Sequence, residues 1–328
     1  MSNSSAASDR LSLLSAHLAV VAPSQLHRQQ TNAAAAPTPV TTSLAGKVCI
    51  ITGAGSVHGI GRASAWAFAQ NGAVAIYITD FRVDHLESLA QEITAAYPGV
   101  KVIARRVDAT SDEDVKGVID DAIEKFGRLD VFFANAVWID ILLVVCVQTA
   151  GVATGAHIKD TDGQQFMESM RINGLSTFLA IKHAGAAMQI TGKGGKEKTG
   201  GSIVATASVA GVRSGAGSLD YSASKAAVIN MAQCGSTQYA KANIRVNAIC
   251  PGLIETDMTK ITFDYAKARG TAHKIGQLNP LARYGVASEV ASVALFLASD
   301  ASSYVNGQAW AVDGGLSASL PVAPGRFF

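Results

Sequence analysis

The sequence predicts an α/β fold: a mainly parallel, seven-stranded sheet with helices on both faces. Three observations carry this. Short apolar runs alternate with longer segments whose apolar residues recur at helical spacing, the pattern of strands and crossover helices. The first apolar run ends in a cluster of glycines that opens into a helix. The 328 residues are 48% hydrophobic and 16% charged, which supplies one large core.

Residues 1–44 are rich in Ser, Ala, Thr and Gln and read as an extension ahead of the domain. Leu11 to Ala22 is apolar, and Arg10 and Arg28 face a single acid, Asp9, so a mitochondrial presequence stands beside the plainer reading of a disordered leader. From Lys47 the texture changes. Val48 to Thr52 is the first strand, and Ala63, Ala67 and Phe68 mark one side of a helix that Asn71-Gly72 stops. Ala73 to Ile78 is the second strand, leading to Thr79-Asp80. Leu86, Leu89 and Ile93 mark the next helix, and Val100 to Val107 the third strand, ending at Asp108. Ser111 opens a helix carrying Val115, Val118, Ile119, Ala122 and Phe126. Leu129 to Phe133 is the fourth strand.

The rhythm breaks at Val137 to Ala150, an apolar stretch with no place in the alternation. It resumes with a helix over Gln165 to Met188 and a Gly/Lys-rich loop, Thr191 to Gly201, read as solvated surface. Ile203 to Ala207 is the fifth strand, Tyr221 to Tyr239 a helix, and Ile244 to Ile249 the sixth strand. Leu253 to Asn279 reads as a variable segment. A helix over Glu289 to Leu297 and a seventh strand, Gly307 to Val312, complete a single domain over residues 45–320, with 321–328 as a tail.

Composition narrows the chemistry. A net charge of +2 gives no reason to invoke nucleic acid or an anionic membrane surface. No run approaches the ~20 apolar residues that span a bilayer. Four cysteines without disulfide or metal spacing suit a reducing compartment, read as the cytoplasm, and seven scattered histidines give no metal site.

Tyr221 and Lys225 stand four apart on a helix, so phenol and ammonium share a face. A cation near a phenol favours the phenolate, which suits proton transfer on an alcohol or carbonyl oxygen. Tyr97 and Lys101 have the same spacing, but Pro98-Gly99 between them marks a turn. The glycines Gly53 to Gly61, between the first strand and its helix, let a phosphate approach backbone N–H groups and a helix N-terminus. Asp80 then sits at the strand-end position that takes an adenosine ribose.

With these motifs in order, the chain from about Lys47 to Leu316 resembles the short-chain dehydrogenase/reductase family in its compact single-domain branch. The resemblance rests on Thr52-Gly53 through Gly59-Ile60-Gly61, Asp108, Asn135-Ala136, Asn173, Ser208, Tyr221 with Lys225, Pro251-Gly252 and Asp313-Gly314-Gly315. It implies a Rossmann-like, doubly wound sheet ordered 3-2-1-4-5-6-7, and hydride transfer between a nicotinamide cofactor and a secondary alcohol or ketone. It implies Tyr221 as proton donor and acceptor, with Ser208 holding the substrate oxygen. Lys225 would lower the phenol and bind the nicotinamide ribose, and the Asn173 carbonyl would extend a proton relay. It places adenine at Asp108 and Ala109, the adenosine ribose at Asn135 and Ala136, and the carboxamide at Ile254 and Thr256, with Pro251-Gly252 shaping that turn. Asp80 disfavours a 2′-phosphate, so NAD is expected, with NADP kept open by Arg82 and His58. Leu253 to Asn279 would form a mobile lid, and the protein a homodimer or homotetramer.

Two departures stand out. About two extra residues, at Val57-His58, lengthen the glycine turn. The expected Asn-Ala-Gly is interrupted after Ala136, with the matching glycine only at Gly151, so 137–150 reads as an insertion, either a lineage-specific loop or translated non-coding sequence. The competing reading is a non-enzymatic dinucleotide-binding or scaffold member whose cleft this insert blocks.

Overall fold

The computed structural model of the protein describes residues 41–137 and 158–319. The apolar runs become strands β1 (Val48–Thr52), β2 (Ala75–Asp80), β3 (Lys101–Arg106), β4 (Val131–Ala134), β5 (Gly201–Thr206) and β6 (Ile244–Pro251), then the short β7 (Ile254–Glu255) and β8 (Gly285–Val286), and β9 (Ala309–Val312). Seven of them pair in parallel in the order β3-β2-β1-β4-β5-β6-β9, the order the resemblance implied with β9 as its seventh strand. The short β7–β8 pair is separate and was not anticipated.

Strands β1 and β4 are buried along their whole length because helices cover both faces, whereas edge strand β3 exposes Lys101, Arg105 and Arg106. The helices are α1 (Ile60–Gln70), α2 (Leu86–Ala96), α3 (Asp112–Phe126), α4 (Gly163–Ser169), α5 (Ser176–Ala187), α6 (Leu219–Gln238), α7 (Lys260–Ala268) and α8 (Ala287–Ala298). Alternation along the strands splits the core into two layers. Tyr77 and Phe132 meet Val118, Leu179 and Val228 on one side, while Ile76 and Phe133 meet Phe68, Leu89 and Val290 on the other. Ser111 caps α3 as expected, its hydroxyl accepting the Asp114 N–H at 3.2 Å, and Gly127 ends that helix at φ +72°. Tyr97 and Lys101 fall on opposite sides of a turn, α2 ending at Ala96 and β3 starting at Lys101.

The structure corrects several readings. The buried side of α1 is Gly61, Ser64, Ala65, Phe68 and Ala69, with Ala63 and Ala67 only half-buried. The reason is Gly61: a Cβ there would stand 2.3 Å from the Gly53 carbonyl oxygen, so the helix must turn this position inward, against the glycine turn. The helix expected over Gln165 to Met188 is divided by a π turn (Met170–Leu175). Leu44, assigned to the extension, is fully buried, and its N–H donates to the Asn71 carbonyl at 2.8 Å. Lys196, in the loop read as solvated, is only 6% exposed, and its amine donates to the Leu129 carbonyl at 2.6 Å; burial pushes that amine down to about 8. Of the expected insertion at 137–150 only Val137 lies among the described residues; residues 1–40 and the tail lie outside them too.

Because the obstacle is backbone, Gly61→Ala cannot be relieved by a side-chain rotation. Urea unfolding is expected to show a loss of about 2 kcal/mol or more relative to the native chain.

Candidate active site

The topology reverses direction between β1 and β4, and a cleft opens at the carboxyl ends of the strands there. One rim is the glycine turn. Gly53 has φ +70°, and a Cβ on it would meet the Asn135 carbonyl oxygen at 2.7 Å. Asp80 braces this turn: one carboxylate oxygen accepts the Gly55 N–H at 2.9 Å and the other the Arg82 N–H at 3.0 Å. Gly59 precedes α1 without a side-chain cap, and no acid sits in the first turn, so the amide end of the helix lies at the cleft with its first N–H groups uncapped by the helix's own side chains. These are the features an anionic pyrophosphate needs.

The strand ends are tied together by polar side chains. The Thr52 hydroxyl accepts the N–H groups of Asn135 and Ala136, each at 3.0 Å. The Asn135 amide donates to the carbonyls of Thr52 (3.3 Å) and Gly53 (3.2 Å), and its oxygen accepts the Thr206 hydroxyl at 2.9 Å. The Thr206 carbonyl in turn accepts the Lys225 ammonium at 2.9 Å. One line of bonds thus runs from β1 through β4 and β5 to α6.

Tyr221 and Lys225 lie one turn apart on α6, with the Lys225 nitrogen 5.6 Å from the centre of the Tyr221 ring. Lys225 is 1% exposed, and burial pushes its amine down to about 7, opposed by the nearby Cys250. Burial pushes the Tyr221 phenol up, and a hydrogen bond with Ser208 pulls it partly back. The sequence argument gave that lowering to Lys225; here Ser208, at the end of β5, supplies it, while the ammonium turns to the Thr206 carbonyl. Asn173 sits in the π turn, a distortion common at functional sites. Its carbonyl accepts the Thr177 hydroxyl at 3.1 Å, and its amide donates to the Ser224 hydroxyl at 3.1 Å, which donates to the Tyr221 carbonyl at 2.7 Å. Asn173 is therefore fastened to the helix that carries the tyrosine.

The cleft has a volume of about 1210 Å³. Gly53, Gly59 and Ile60 line it from the turn, and Asp80, Asp108, Ala109, Asn135 and Ala136 from the strand ends. Ser208, Tyr221, Pro251, Ile254 and Thr256 line it at the other end. Gly61, Asn173 and Lys225 are expected site residues that do not: the first packs behind the turn, and the other two are buried at 1% exposure. At the Asp108 end, burial pushes that carboxyl up, but hydrogen bonds from Thr110 and the charges of Arg171 and Arg106 outweigh it, leaving it lowered. Sequence reasoning gave no role to Thr206, Arg171 or Cys250. The Cys250 thiol is pushed up to about 11 by burial, against a backbone bond from Ser208 and the charge of Lys225. His58, raised as a cation for a 2′-phosphate, instead turns its ring to Asp257 at 2.8 Å. Among the described residues no three His, Cys, Asp or Glu side chains converge on a metal position, and no helix is long and apolar enough to cross a membrane.

A family model described as Enoyl-(Acyl carrier protein) reductase matches residues 53–317, from the glycine turn past the last strand. The chain belongs to the short-chain dehydrogenase/reductase family. It is 39% identical to the 3-oxoacyl-[acyl-carrier-protein] reductase FabG of Thermotoga maritima over 83% of this chain and 98% of that one. It is 34% identical to the mitochondrial (-)-isopiperitenol/(-)-carveol dehydrogenase of Mentha piperita over 83% and 94%. The crystal structure of levodione reductase superposes with a TM-score of 0.71 at 30% identity, covering 84% of this chain and all of the other. The protein is thus a short-chain oxidoreductase of Rossmann fold, in a family that uses NAD(H) or NADP(H). The uncapped helix end and the braced glycine turn fit such a dinucleotide.

Lys225 has a folded pKa near 7, below its unfolded value, so the unfolded chain binds more protons above that pH and stability rises as pH climbs. Urea unfolding is expected to gain on the order of 2 kcal/mol between pH ~7 and ~9 from this group, a slope that Lys225→Met removes.

Proposed function

We propose that this oxidoreductase transfers hydride between a nicotinamide dinucleotide and a secondary alcohol or ketone. The observation that carries the reading is that Ser208 and Tyr221 meet at one end of a cleft, with Lys225 buried one turn behind the phenol, while the other end is a helix N-terminus beside a glycine turn. The bound dinucleotide supplies or accepts the hydride. Gly59, Ile60 and the start of α1 hold its pyrophosphate, Asp80 the adenosine ribose with Asn135 and Ala136, and Asp108 with Ala109 the adenine. Ile254 and Thr256 take the carboxamide end, next to Pro251.

The phenol of Tyr221 gives its proton to the carbonyl oxygen in reduction and takes it back in oxidation. Burial favours the protonated phenol, which suits the reductive direction. The Ser208 hydroxyl fixes the same oxygen and stabilises charge developing on it. Lys225, one turn from Tyr221 and with an amine pushed down to about 7, exchanges protons near neutrality and in its charged form holds the nicotinamide ribose. Asn173 carries the relay onward from the π turn. Val209 and Ala216, close in the chain to Ser208 and Tyr221, line the cleft together with Leu253 and Leu316. These apolar walls suit a substrate with hydrocarbon around the reacting oxygen, in keeping with relatives named for 3-oxoacyl groups, levodione and carveol.

NAD is the preferred cofactor, because the Asp80 carboxylate at the ribose position repels a 2′-phosphate; Arg82 on the same wall is the group that would admit NADP. Met167, Leu175, Phe178 and Leu219 are exposed apolar residues on the segments that carry Asn173 and Tyr221, which supports a homodimer or homotetramer. The protein is assigned to the cytoplasm, with a mitochondrial address as the alternative carried by residues 1–44.

The test is purified protein with NADH or NADPH and a panel of ketones, following loss of the reduced cofactor. Tyr221→Phe is expected to lower kcat about 1000-fold while dinucleotide binding persists. Turnover that survives this substitution overturns the assignment, and binding without turnover on any alcohol or ketone points to a scaffold instead.

A further inference from the structure

The lengthened glycine turn has a geometry of its own. Val57 and His58, its added residues, bring His58 to the segment that follows β7. There one carboxylate oxygen of Asp257 meets the His58 ring nitrogen Nδ1 at 2.8 Å. The other oxygen accepts the Ser56 hydroxyl at 2.8 Å and the His58 N–H at 3.2 Å. Burial pushes the Asp257 carboxyl up, but the bonds from His58 and Ser56 outweigh it, so the group remains a carboxylate.

Asp257 and the residues on either side of His58 belong to rims of the same cleft. Ser56 and Val57 line it from the turn, and Thr256, Asp257 and Met258 from the facing segment. The far side of that segment is anchored: the Thr259 hydroxyl donates to the Ile254 carbonyl at 2.6 Å, and Phe263 is buried edge-on to Tyr284. The near side is joined to the turn through Asp257. A hydroxyl and an N–H at a phosphate turn are donors of the kind that bind phosphate oxygens, yet here a carboxylate holds them.

Building on the reading that the dinucleotide pyrophosphate lies at the start of α1, we propose that His58 and Asp257 form a clasp. It closes residues 256–268 over the phosphate turn and sets the rate at which the dinucleotide exchanges. The His58 side chain is 72% exposed and that of Asp257 38%, so water competes for every bond. The clasp therefore opens readily, which suits a gate rather than a permanent closure. His58 and Asp257 are positioning residues, acting through the segment they hold.

The experiment compares the full-length protein with Asp257→Asn and His58→Gln, surface changes that keep side-chain size. Stopped-flow displacement of bound NADH, or NADPH if that is the form bound, is expected to show dissociation about three- to tenfold faster in each variant. The double variant is expected to add less than the product of the two, because both remove the same bond. Backbone amide exchange of residues 258–268 without nucleotide is expected to quicken in both variants, while α5 and α6 keep their native protection. Unchanged dissociation in both variants overturns the proposal, whatever the exchange shows. If the native chain binds neither dinucleotide, the functional reading above has failed, and the amide exchange decides the clasp by itself: quickened supports it, unchanged refutes it.

Discussion

The line of hydrogen bonds from Thr52 through Asn135 and Thr206 to Lys225 is the constraint on which the site depends. Parallel strands fix only the heights of their ends, and loops leaving those ends are otherwise free to splay. By bonding the first strand to the fourth, the fourth to the fifth and the fifth to the tyrosine helix, these side chains set the spacing between the glycine-turn end of the cleft and the end at Tyr221. They also answer an accounting problem. A lysine 1% exposed needs an acceptor, and the Thr206 carbonyl, with the sulfur of Cys250 nearby, is what the fold provides. The result is an amine whose proton is loosely held at neutral pH, one turn away from a phenol whose proton is tightly held.

The turn and the helix after it obey a second constraint, that of close approach. Gly61 must touch the Gly53 carbonyl, and Gly53 must touch the Asn135 carbonyl, so two bare positions bring α1, β1 and β4 to one point. Asp80 then ties this loop to the end of β2, accepting the Gly55 N–H with one oxygen and the Arg82 N–H of its own loop with the other. Its carboxylate is thus structural in the first place. The side chain proposed above to select between the two dinucleotides also keeps the turn in shape, so a substitution made to change the one would disturb the other.

Much of this was legible in the sequence, and the reasons differ by element. Strand and helix placement followed from alternating apolar runs, since burial on both faces leaves a strong pattern, while the strand order came with the family resemblance. Tyr221 and Lys225 could be paired because helical spacing is local. What escaped was non-local or conformational. The π turn at Asn173 leaves no trace in an otherwise helical pattern, and the inward rotation of α1 depends on a contact between Gly61 and Gly53 rather than on periodicity. Lys196 looked like surface because a Gly/Lys-rich loop usually is; its burial comes from the Leu129 carbonyl, from another element. The bulge at Val57-His58 was visible as extra length, but its partner Asp257 lies 199 positions away. The sequence reading had Lys225 lower the Tyr221 phenol, whereas burial raises it and a neighbour in space, Ser208, pulls it only partly back.

The position of β9 has a consequence for how the molecule is made. It is the last strand among the described residues, yet it completes the sheet by pairing along β6, which was laid down some sixty residues earlier, as the register Ala248 with Ala309 shows. While the chain emerges from a ribosome, the backbone of β6 therefore presents a bare ladder of N–H and C=O groups on a strand made almost wholly of buried residues. Nascent molecules carry a sticky margin until that final strand is synthesised, and a cell making this protein must shield them from each other during the interval.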